Sequence, residues 1–249
     1  MKLTKDEIDY IQAVIKVANL VDIGNIIIEP GKIRAMDEDQ TVVLFQDNNV
    51  PDMSFGSLGL NRISVFLARL ELAKLQDNFT IDAVTAGDTT KYGFDMFTPT
   101  DKQTPMWVRS LTMSGKNTKI DYRCASPQTI KAPKTRAGIN QHTVDLTPEA
   151  VNMIAKGKAA MKSNEVSFHG NKDGVVLEIS DINGDALEYH FSDIVHTNPG
   201  VSLDFSYKYP IELLLPIFKT NPTGQFSLTP RGTLMFTVSG LDVYVMAKG

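Results

Sequence analysis

Apolar residues recur three and four positions apart in four separate stretches of the chain, which predicts four amphipathic helices. Thr4 and Glu7 form a capping box at the start of the first stretch, and Pro148 follows the hydroxyl residue Thr147 at the start of the third. Pro216 lies inside the fourth stretch, where the loss of a backbone donor should kink or shorten the helix. The predicted helices are residues 4–18, 61–75, 147–163 and 209–219.

Between these helices apolar residues alternate with polar ones, and turn residues divide the alternation into short strands. Pro30 and Gly31 separate two early strands, and Asn183-Gly184 is the strongest hairpin signal in the sequence. Residues 56–59 (Gly-Ser-Leu-Gly) are interpreted as a turn before the second helix. The predicted strands lie within residues 26–33, 42–45, 79–124, 165–191, 225–230, 233–239 and 241–247.

The order helix, strands, helix, strands occurs twice, with nearly the same separation between the two helices of each half. This repetition favours a duplicated domain in an α+β protein, although an α+β chain of another fold could share the order by chance. Residues 126–141 hold two prolines and no acidic residue, which is typical of an extended connector. The predicted domains are therefore residues 1–125 and 142–249, with the connector 126–141 between them.

The chain has 249 residues, 42% of them hydrophobic, and a formal net charge of −4, so a globular rather than a disordered protein is expected. Its single cysteine, Cys124, excludes an intramolecular disulfide, and four scattered histidines leave too few ligands for a structural zinc site. The charged N-terminus and the lack of an apolar run of about 18 residues predict an intracellular protein. It would lie in the cytoplasm or nucleoid, or in the host cytoplasm if it is viral.

The sequence has none of the recognisable motifs for phosphate binding, nucleophilic catalysis or zinc catalysis. Asp181, Asn183 and Asp185 resemble part of a calcium loop, but the glycine comes too early and the closing glutamate is missing, so a hairpin turn is the better interpretation. We therefore predict no catalytic residue, no metal site and no cofactor. A hydrolase whose site is assembled from scattered aspartates and histidines is a competing hypothesis.

Positive charge is concentrated on the four helical segments when each is counted with its flanking residues, as 2–18, 61–75, 147–163 and 208–219: these segments sum to +5 while the rest of the chain carries −9. Helices that bury their opposite faces on sheets would then present a positive surface, although lysine-rich surface helices are common. No aromatic residues are interleaved with these cations, which argues against base stacking and favours contacts with a phosphate backbone.

Four short stretches resemble the motifs of one protein family, in the same order. Residues 33–37 (Ile-Arg-Ala-Met-Asp) lead into residues 41–44 (Thr-Val-Val-Leu), and residues 171–175 (Asn-Lys-Asp-Gly-Val) open a hairpin. Residues 205–214 enter the last helix, and residues 243–248 (Val-Tyr-Val-Met-Ala-Lys) form the final strand and its tail. The chain thereby resembles the DNA sliding clamps of the two-domain type, the family of the proliferating cell nuclear antigen and of the T4-like phage clamps.

The resemblance implies two DNA-clamp domains, each with two helices packed on antiparallel sheets, which assemble head to tail into a closed homotrimeric ring around double-stranded DNA. Twelve helices of about 10 Å each would line a hole of about 38 Å. Such a ring is a polymerase processivity factor and not an enzyme, and a separate clamp loader places it on DNA. A monomeric peptide-binding adaptor with the same fold is the alternative. The DNA-facing cations that the resemblance implies are Lys16, Arg69, Lys156, Lys158, Lys208 and Lys219, followed by Lys5, Arg62, Lys74 and Lys162.

The resemblance also implies a pocket where DNA polymerase and other replication or repair proteins dock short motifs. The implied pocket residues are Met36, Val43, Ile130, Ile139, Leu234, Val245, Met246 and Ala247. Edge strands at 106–113 and 185–191 are expected to pair between subunits, through Trp107, Arg109, Leu111, Leu187, Tyr189 and Phe191. The connector departs from the acidic form usual in the family, because Lys131, Lys134 and Arg136 make it basic.

Overall fold

The computed structural model describes residues 1–86, 106–134, 142–171, 173–191, 195–197 and 204–248. The chain divides into two compact units. Unit 1 comprises Met1–Glu38 and Leu44–Lys134, and unit 2 comprises Asp39–Val43 and Thr135–Gly249. This division differs from the predicted domains in two respects, because unit 1 includes the first part of the connector and unit 2 includes five residues from early in the chain.

The described residues of unit 1 form two α-helices, a short 3-10 helix (Pro127–Thr129) and two antiparallel sheets. Its elements are α1 (Lys5–Leu20), β1 (Asn25–Glu29), β2 (Lys32–Met36), β3 (Val42–Gln46), β4 (Leu58–Asn61), α2 (Ile63–Lys74), β5 (Thr80–Thr85), β6 (Val108–Ser114) and β7 (Lys119–Arg123). Strand β1 lies between β2 and β4, and β3, of which Leu44–Gln46 belongs to unit 1, lies beside β2. In the other sheet β6 lies between β5 and β7.

Unit 2 has a similar composition of helices and sheets. Its elements are β8 (His142–Asp145), α3 (Pro148–Ala160), β9 (Glu165–Asn171), β10 (Gly174–Ser180), β11 (Ala186–His190), β12 (Val195–Thr197), β13 (Phe205–Pro210), α4 (Ile211–Thr220), β14 (Gln225–Leu228), β15 (Thr233–Val238) and β16 (Leu241–Met246). One sheet has the order β11-β10-β9-β13, and the other contains β12-β8-β14-β15-β16.

Apolar and polar side chains alternate along β9, so its apolar residues share one face of the sheet. Val166 and Phe168 are fully buried on that face, whereas Glu165, Ser167 and His169 on the other face are polar, with Ser167 buried and the other two half-buried. Helix α3 packs closely on the buried face, since a Cβ atom at Gly157 would lie 2.6 Å from Cδ1 of Ile179 in β10. The opposite face of this sheet is polar along β9.

The four predicted helices are confirmed, with ends that shift by up to three residues. Helix α4 continues through Pro216 to Thr220, so the predicted shortening does not occur. Burial of Leu214, Ile217 and Phe218 on either side of the proline stabilises this helix. Within the predicted strand region 79–124, residues 87–105 lie outside the described part of the chain.

The interpretation of residues 56–59 as a turn holds only at Gly56, whose φ is +77° and whose amide donates to the Met53 carbonyl at 3.2 Å, because Gly59 lies within β4. A Cβ atom at this position would meet the carbonyl oxygen of Ala125 at 2.4 Å. The glycine therefore serves close backbone approach rather than a turn, and the amide of Ala125 donates to the Gly59 carbonyl at 3.0 Å.

Glu7 connects the start of α1 to a distant loop. Its carboxylate accepts hydrogen bonds from the backbone and hydroxyl of both Thr4 and Ser54, at 2.8–3.0 Å. Burial alone would raise the pKa of Glu7, but these hydrogen bonds outweigh it and lower the pKa below 4.5. Because the folded-state pKa is the lower one, this stabilisation is present above the unfolded-state pKa and is lost as the pH falls through the folded-state value.

Glu7→Gln should lower the free energy of unfolding at pH 7 by about 1–2 kcal/mol, since one carboxylate with four donors is replaced by a weaker acceptor. At pH 3 the difference from the wild type should shrink. Urea unfolding at both pH values measures this, with Glu38→Gln at an exposed turn position as the control. Equal losses in the two variants at pH 7 would contradict the assignment.

Candidate functional site

Four of the five predicted cations of unit 1 are exposed, and one of these four, Lys74, is paired with a carboxylate. Lys5 and Lys16 lie on the exposed side of α1, opposite its buried isoleucines. Lys74 of α2 instead donates to Asp9 Oδ1 at 3.0 Å and to Gln12 on α1. A cation paired in this way contributes little to the positive surface.

Arg62 and Arg69 pack on Tyr122 of β7. Their guanidinium carbons lie 5.8 and 5.9 Å from the ring centroid, and Arg69 Nη1 donates to the carbonyl of Asp121 at 3.4 Å. Burial raises the pKa of Tyr122 to about 12, so the ring stays a neutral partner for both cations. These arginines therefore lie on the flank of α2 above β7 rather than on its outermost face.

The same flank of α2 carries two exposed apolar side chains. Val65, Arg69 and Leu72 are spaced four and three residues apart, so they share one side of the helix. Val65 is 39% exposed and Leu72 is 53% exposed. The other flank of α2 faces α1 through Lys74, so the apolar pair points toward the side where the sheet ends at β7.

In unit 2, Lys156, Lys162 and Lys219 are exposed on or just after the helices. Lys158 lies 3.9 Å from Glu212 of α4, which reduces its contribution. The assignment of Lys208 to the helix surface is wrong, because it lies in β13 opposite Ser167. Lys208 thus occupies the polar face of the sheet, away from α3, and the strand alternation with buried Tyr209 is what directs it there.

The opposite flank of α3 from Lys158 carries Glu149, Met153 and Ala160, which are exposed or half-buried. This flank lies above β11, where Thr147, the N-cap of α3, shares a hydrogen bond of 2.7 Å with the Tyr189 hydroxyl. The β5-β6-β7 sheet therefore ends at β7 beside the α2 flank, and the β11-β10-β9-β13 sheet ends at β11 beside the α3 flank. Both flanks have side chains that are available for further contacts.

The structure corrects one of the two predicted edge strands. Residues 106–113 fall largely in β6, which pairs with β5 on one side and β7 on the other. Among the described strands the two edges of this sheet are β5, where the amide of Leu3 donates to the Ile81 carbonyl at 2.9 Å, and β7, whereas β11 is an edge as predicted. Leu111 and Phe191 are buried in the cores of their units, Trp107 and Arg109 are half-buried near the start of β6, and Leu187 and Tyr189 are half-buried on β11.

The predicted partner pocket separates into surface residues and core residues. Met36 and Ile130 in unit 1 and Met246 and Ala247 in unit 2 are half-buried. Val43, Leu234 and Val245 are buried, so they support a surface from beneath, and Ile139 lies outside the described residues.

Tyr207 is a surface residue next to this tail that the sequence analysis did not select. Its hydroxyl donates to the Pro230 carbonyl at 2.6 Å, and its ring would contact a Cβ atom at Gly232 at 2.8 Å. The amide of Ala247 donates to the Gly232 carbonyl at 2.8 Å, which fixes the C-terminal tail beside the ring. Tyr207 stacks on Phe205, which lies two positions away on the same face of β13. The spacing of these two aromatic residues is the sequence signal that could have identified Tyr207.

The described residues contain no cluster of histidine, cysteine or acidic side chains that could hold a metal ion. Cys124 is buried, and this burial raises the pKa of its thiol, which disfavours the thiolate. None of the helices in the described ranges has the length and apolar character needed to cross a membrane.

No protein-family model and no curated protein matches this sequence. Solved structures do match across the whole chain. The fold is similar to A. fulgidus PCNA in a structure with the C-terminal region of FEN-1 bound, with a TM-score of 0.62, 11% identity and coverage of 97% of this chain and 96% of that chain. It is also similar to the proliferating cellular nuclear antigen of Entamoeba histolytica, with a TM-score of 0.60, 13% identity and coverage of 100% and 98%.

An H. pylori beta clamp in complex with 5-chloroisatin is similar at a TM-score of 0.66 and 12% identity, over all of this chain but only 63% of that chain. The present chain thus spans less than two thirds of that protein. At such identities the likeness concerns the fold, and the chain has the fold of the DNA sliding clamps.

Proposed function

We propose that this protein is a sliding clamp that assembles as a homotrimeric ring around duplex DNA and acts as a polymerase processivity factor without catalytic activity of its own. One observation carries the proposal: exposed lysines lie on or next to helices of both units, and none of them pairs with a carboxylate within the described residues. These lysines are Lys5, Lys16, Lys156, Lys162 and Lys219. The full-length similarity to clamp structures supports it.

A ring that moves along DNA must hold the duplex without reading its bases. Lysine is suited to this role because its ammonium group is a hydrated point charge that contacts any phosphate. Each phosphate contact releases counterions, so the affinity should fall steeply with salt and show no sequence preference. A clamp loader would open the ring, and a bound polymerase would stay near its template by mass action.

Ring closure requires that an edge of one copy pair with an edge of the next, and β7 and β11 are suited to each other. An antiparallel register that sets Arg123 opposite Glu188 also sets Asp121 opposite His190, and both pairs are favourable. If the strands are shifted by two residues in one direction, Asp121 lies opposite Glu188, and these two carboxylates repel each other. If they are shifted in the other direction, Arg123 lies opposite His190 and loses its carboxylate partner. We propose the first register, which also covers two open sheet edges.

Paired edges would bring two helix flanks together. Helix α2 lies above β7 and α3 lies above β11, so the helices of adjacent copies would pack side by side at about 8–10 Å. Val65 and Leu72 would then be buried against Met153 and Ala160 of the next copy. Arg69 would lie near Glu149 of that copy, which adds a charge pair at the rim.

Light scattering at several protein concentrations tests the assembly. The proposal predicts a mass of three times 27.5 kDa. A mass of one chain over the whole concentration range would contradict the ring and favour a monomeric clamp-fold adaptor.

We further propose that replication or repair proteins dock through short segments. The named complexes support this mode, since one has the C-terminal region of FEN-1 on A. fulgidus PCNA and another a DNA ligase peptide on the H. pylori beta clamp. Unit 1 offers Met36 and Ile130 for such contacts, and unit 2 offers Met246 and Ala247. Flexible methionines suit several partners because they repack easily.

A further inference from the structure

A cavity of about 130 Å³ opens on unit 1 between the β1–β2 hairpin and the start of the connector. Its lining includes Glu29, Arg34, Ser57, Trp107, Pro127 and Gln128. Trp107 and Pro127 are half-buried, so both apolar surfaces are partly accessible. A space of this size equals roughly four water molecules, which corresponds to one apolar side chain of medium size.

Two cations of β2 hold the connector beside this cavity. Arg34 binds Glu29 through two hydrogen bonds of 3.0 Å, and its Nη1 donates to the Pro133 carbonyl at 3.3 Å. Lys32 Nζ donates to the Lys134 carbonyl at 3.0 Å. Residues 133–134 of the connector are therefore held by charge-assisted hydrogen bonds, which are stronger than neutral ones.

The held segment is strongly basic. Lys131 and Lys134 are exposed, and Arg34 beside them forms an ion pair with Glu29 at 2.9 Å. Lys32, Arg34, Lys131, Lys134 and Glu29 together carry a net positive charge of three, and Arg34 and Glu29 of this group line the cavity. Such a concentration of one sign of charge attracts and orients a partner of the opposite sign.

We propose that this cavity is the docking site for an acidic segment of a partner protein. The segment inserts one apolar side chain beside Trp107 and Pro127 and sets its carboxylates against Lys131 and Lys134. The proposal rests on the proposed function only in giving the partner a reason to be held at a clamp. The binding itself uses residues of unit 1 in a single copy.

The cavity favours a peptide over a nucleic acid as the occupant. A phosphate backbone would use the lysines but would leave the apolar walls at Trp107 and Pro127 exposed. An acidic peptide with one apolar anchor satisfies both features, because its side chain fills the space beside residues 126–128 and Trp107.

Trp107 is the single tryptophan of the chain, so intrinsic fluorescence reports on this cavity directly. The probe is a synthetic peptide rich in aspartate and glutamate with one phenylalanine. We expect a saturable change in Trp107 emission with a Kd below about 100 μM at low salt. A peptide with serine in place of the phenylalanine, and one with lysine in place of the acids, should each bind at least tenfold more weakly.

Lys131→Glu with Lys134→Glu should weaken the acidic peptide at least tenfold, whereas the control pair Lys116→Glu with Arg231→Glu, which are exposed elsewhere, should leave it unchanged. The proposal is overturned if the acidic peptide causes no change in emission, if the basic peptide binds as well, or if duplex DNA competes equally through the same two lysines. Light scattering on these variants separates the two proposals, because loss of the ring would leave peptide binding intact and loss of peptide binding would leave the mass unchanged.

Discussion

Leu72→Glu is expected to convert the ring into single chains. The side chain is 53% exposed in one copy, so the substitution should leave the fold of the chain intact. In the ring it would place a carboxylate in an apolar contact, which costs several kcal/mol at each of the three interfaces. Light scattering should then give a mass near 27.5 kDa instead of three times that value.

Ile182→Glu is the matched control, because Ile182 is a fully exposed apolar residue in the turn between β10 and β11 and belongs to neither helix flank. Its mass should equal that of the wild type. A Leu72→Glu protein that keeps the wild-type mass would show that the α2 flank does not contribute to subunit contact. Circular dichroism of both variants should match the wild type, since neither side chain belongs to the core.

Replacing Lys16, Lys156 and Lys219 with alanine should weaken binding to duplex DNA at least about tenfold at low salt, because nine cations are removed from a trimeric ring. The slope of log K against log salt should become shallower by about 0.9 for each phosphate contact that is lost. Fluorescence anisotropy of a labelled duplex at several salt concentrations measures both quantities.

The control protein has Lys2, Lys116 and Arg231 changed to alanine, three cations that are exposed outside the helices. It has the same net charge as the test protein, so it should retain the wild-type slope if position decides the effect. An equal loss of slope in the two proteins would mean that net charge, rather than the helix surface, governs the affinity. Both proteins should remain trimers.

Local signals made the helices predictable. The capping box at Thr4 and Glu7 and the proline after Thr147 are both present at helix starts, and they act within four residues. Which of the cations are paired with carboxylates could not be predicted, because the pairs depend on tertiary packing. Lys74 is paired with Asp9, and Lys158 lies near Glu212. Lys208 was misassigned because the strand before α4 continues to Pro210, so strand alternation and not helical spacing sets its direction.

Local sequence patterns also could not predict which strand forms the edge of the β5-β6-β7 sheet. Whether β6 or β7 ends the sheet depends on which strands pair on each side, and apolar alternation is present in both. One local sign was available, since Lys119, Asp121 and Arg123 place a charge at every outward position of β7, which is typical of an exposed edge. The cavity beside Trp107 had no sequence signal, because its walls come from three distant parts of the chain.

Retention on DNA of defined topology tests the central claim that the protein encircles a duplex. The protein is first threaded onto a linear duplex tethered at one end, and the free end is then blocked with a bound protein. A ring should survive a wash in high salt while the end is blocked and should leave once the block is removed, because salt breaks phosphate contacts but not topological linkage. Equal loss with and without the block would contradict encirclement.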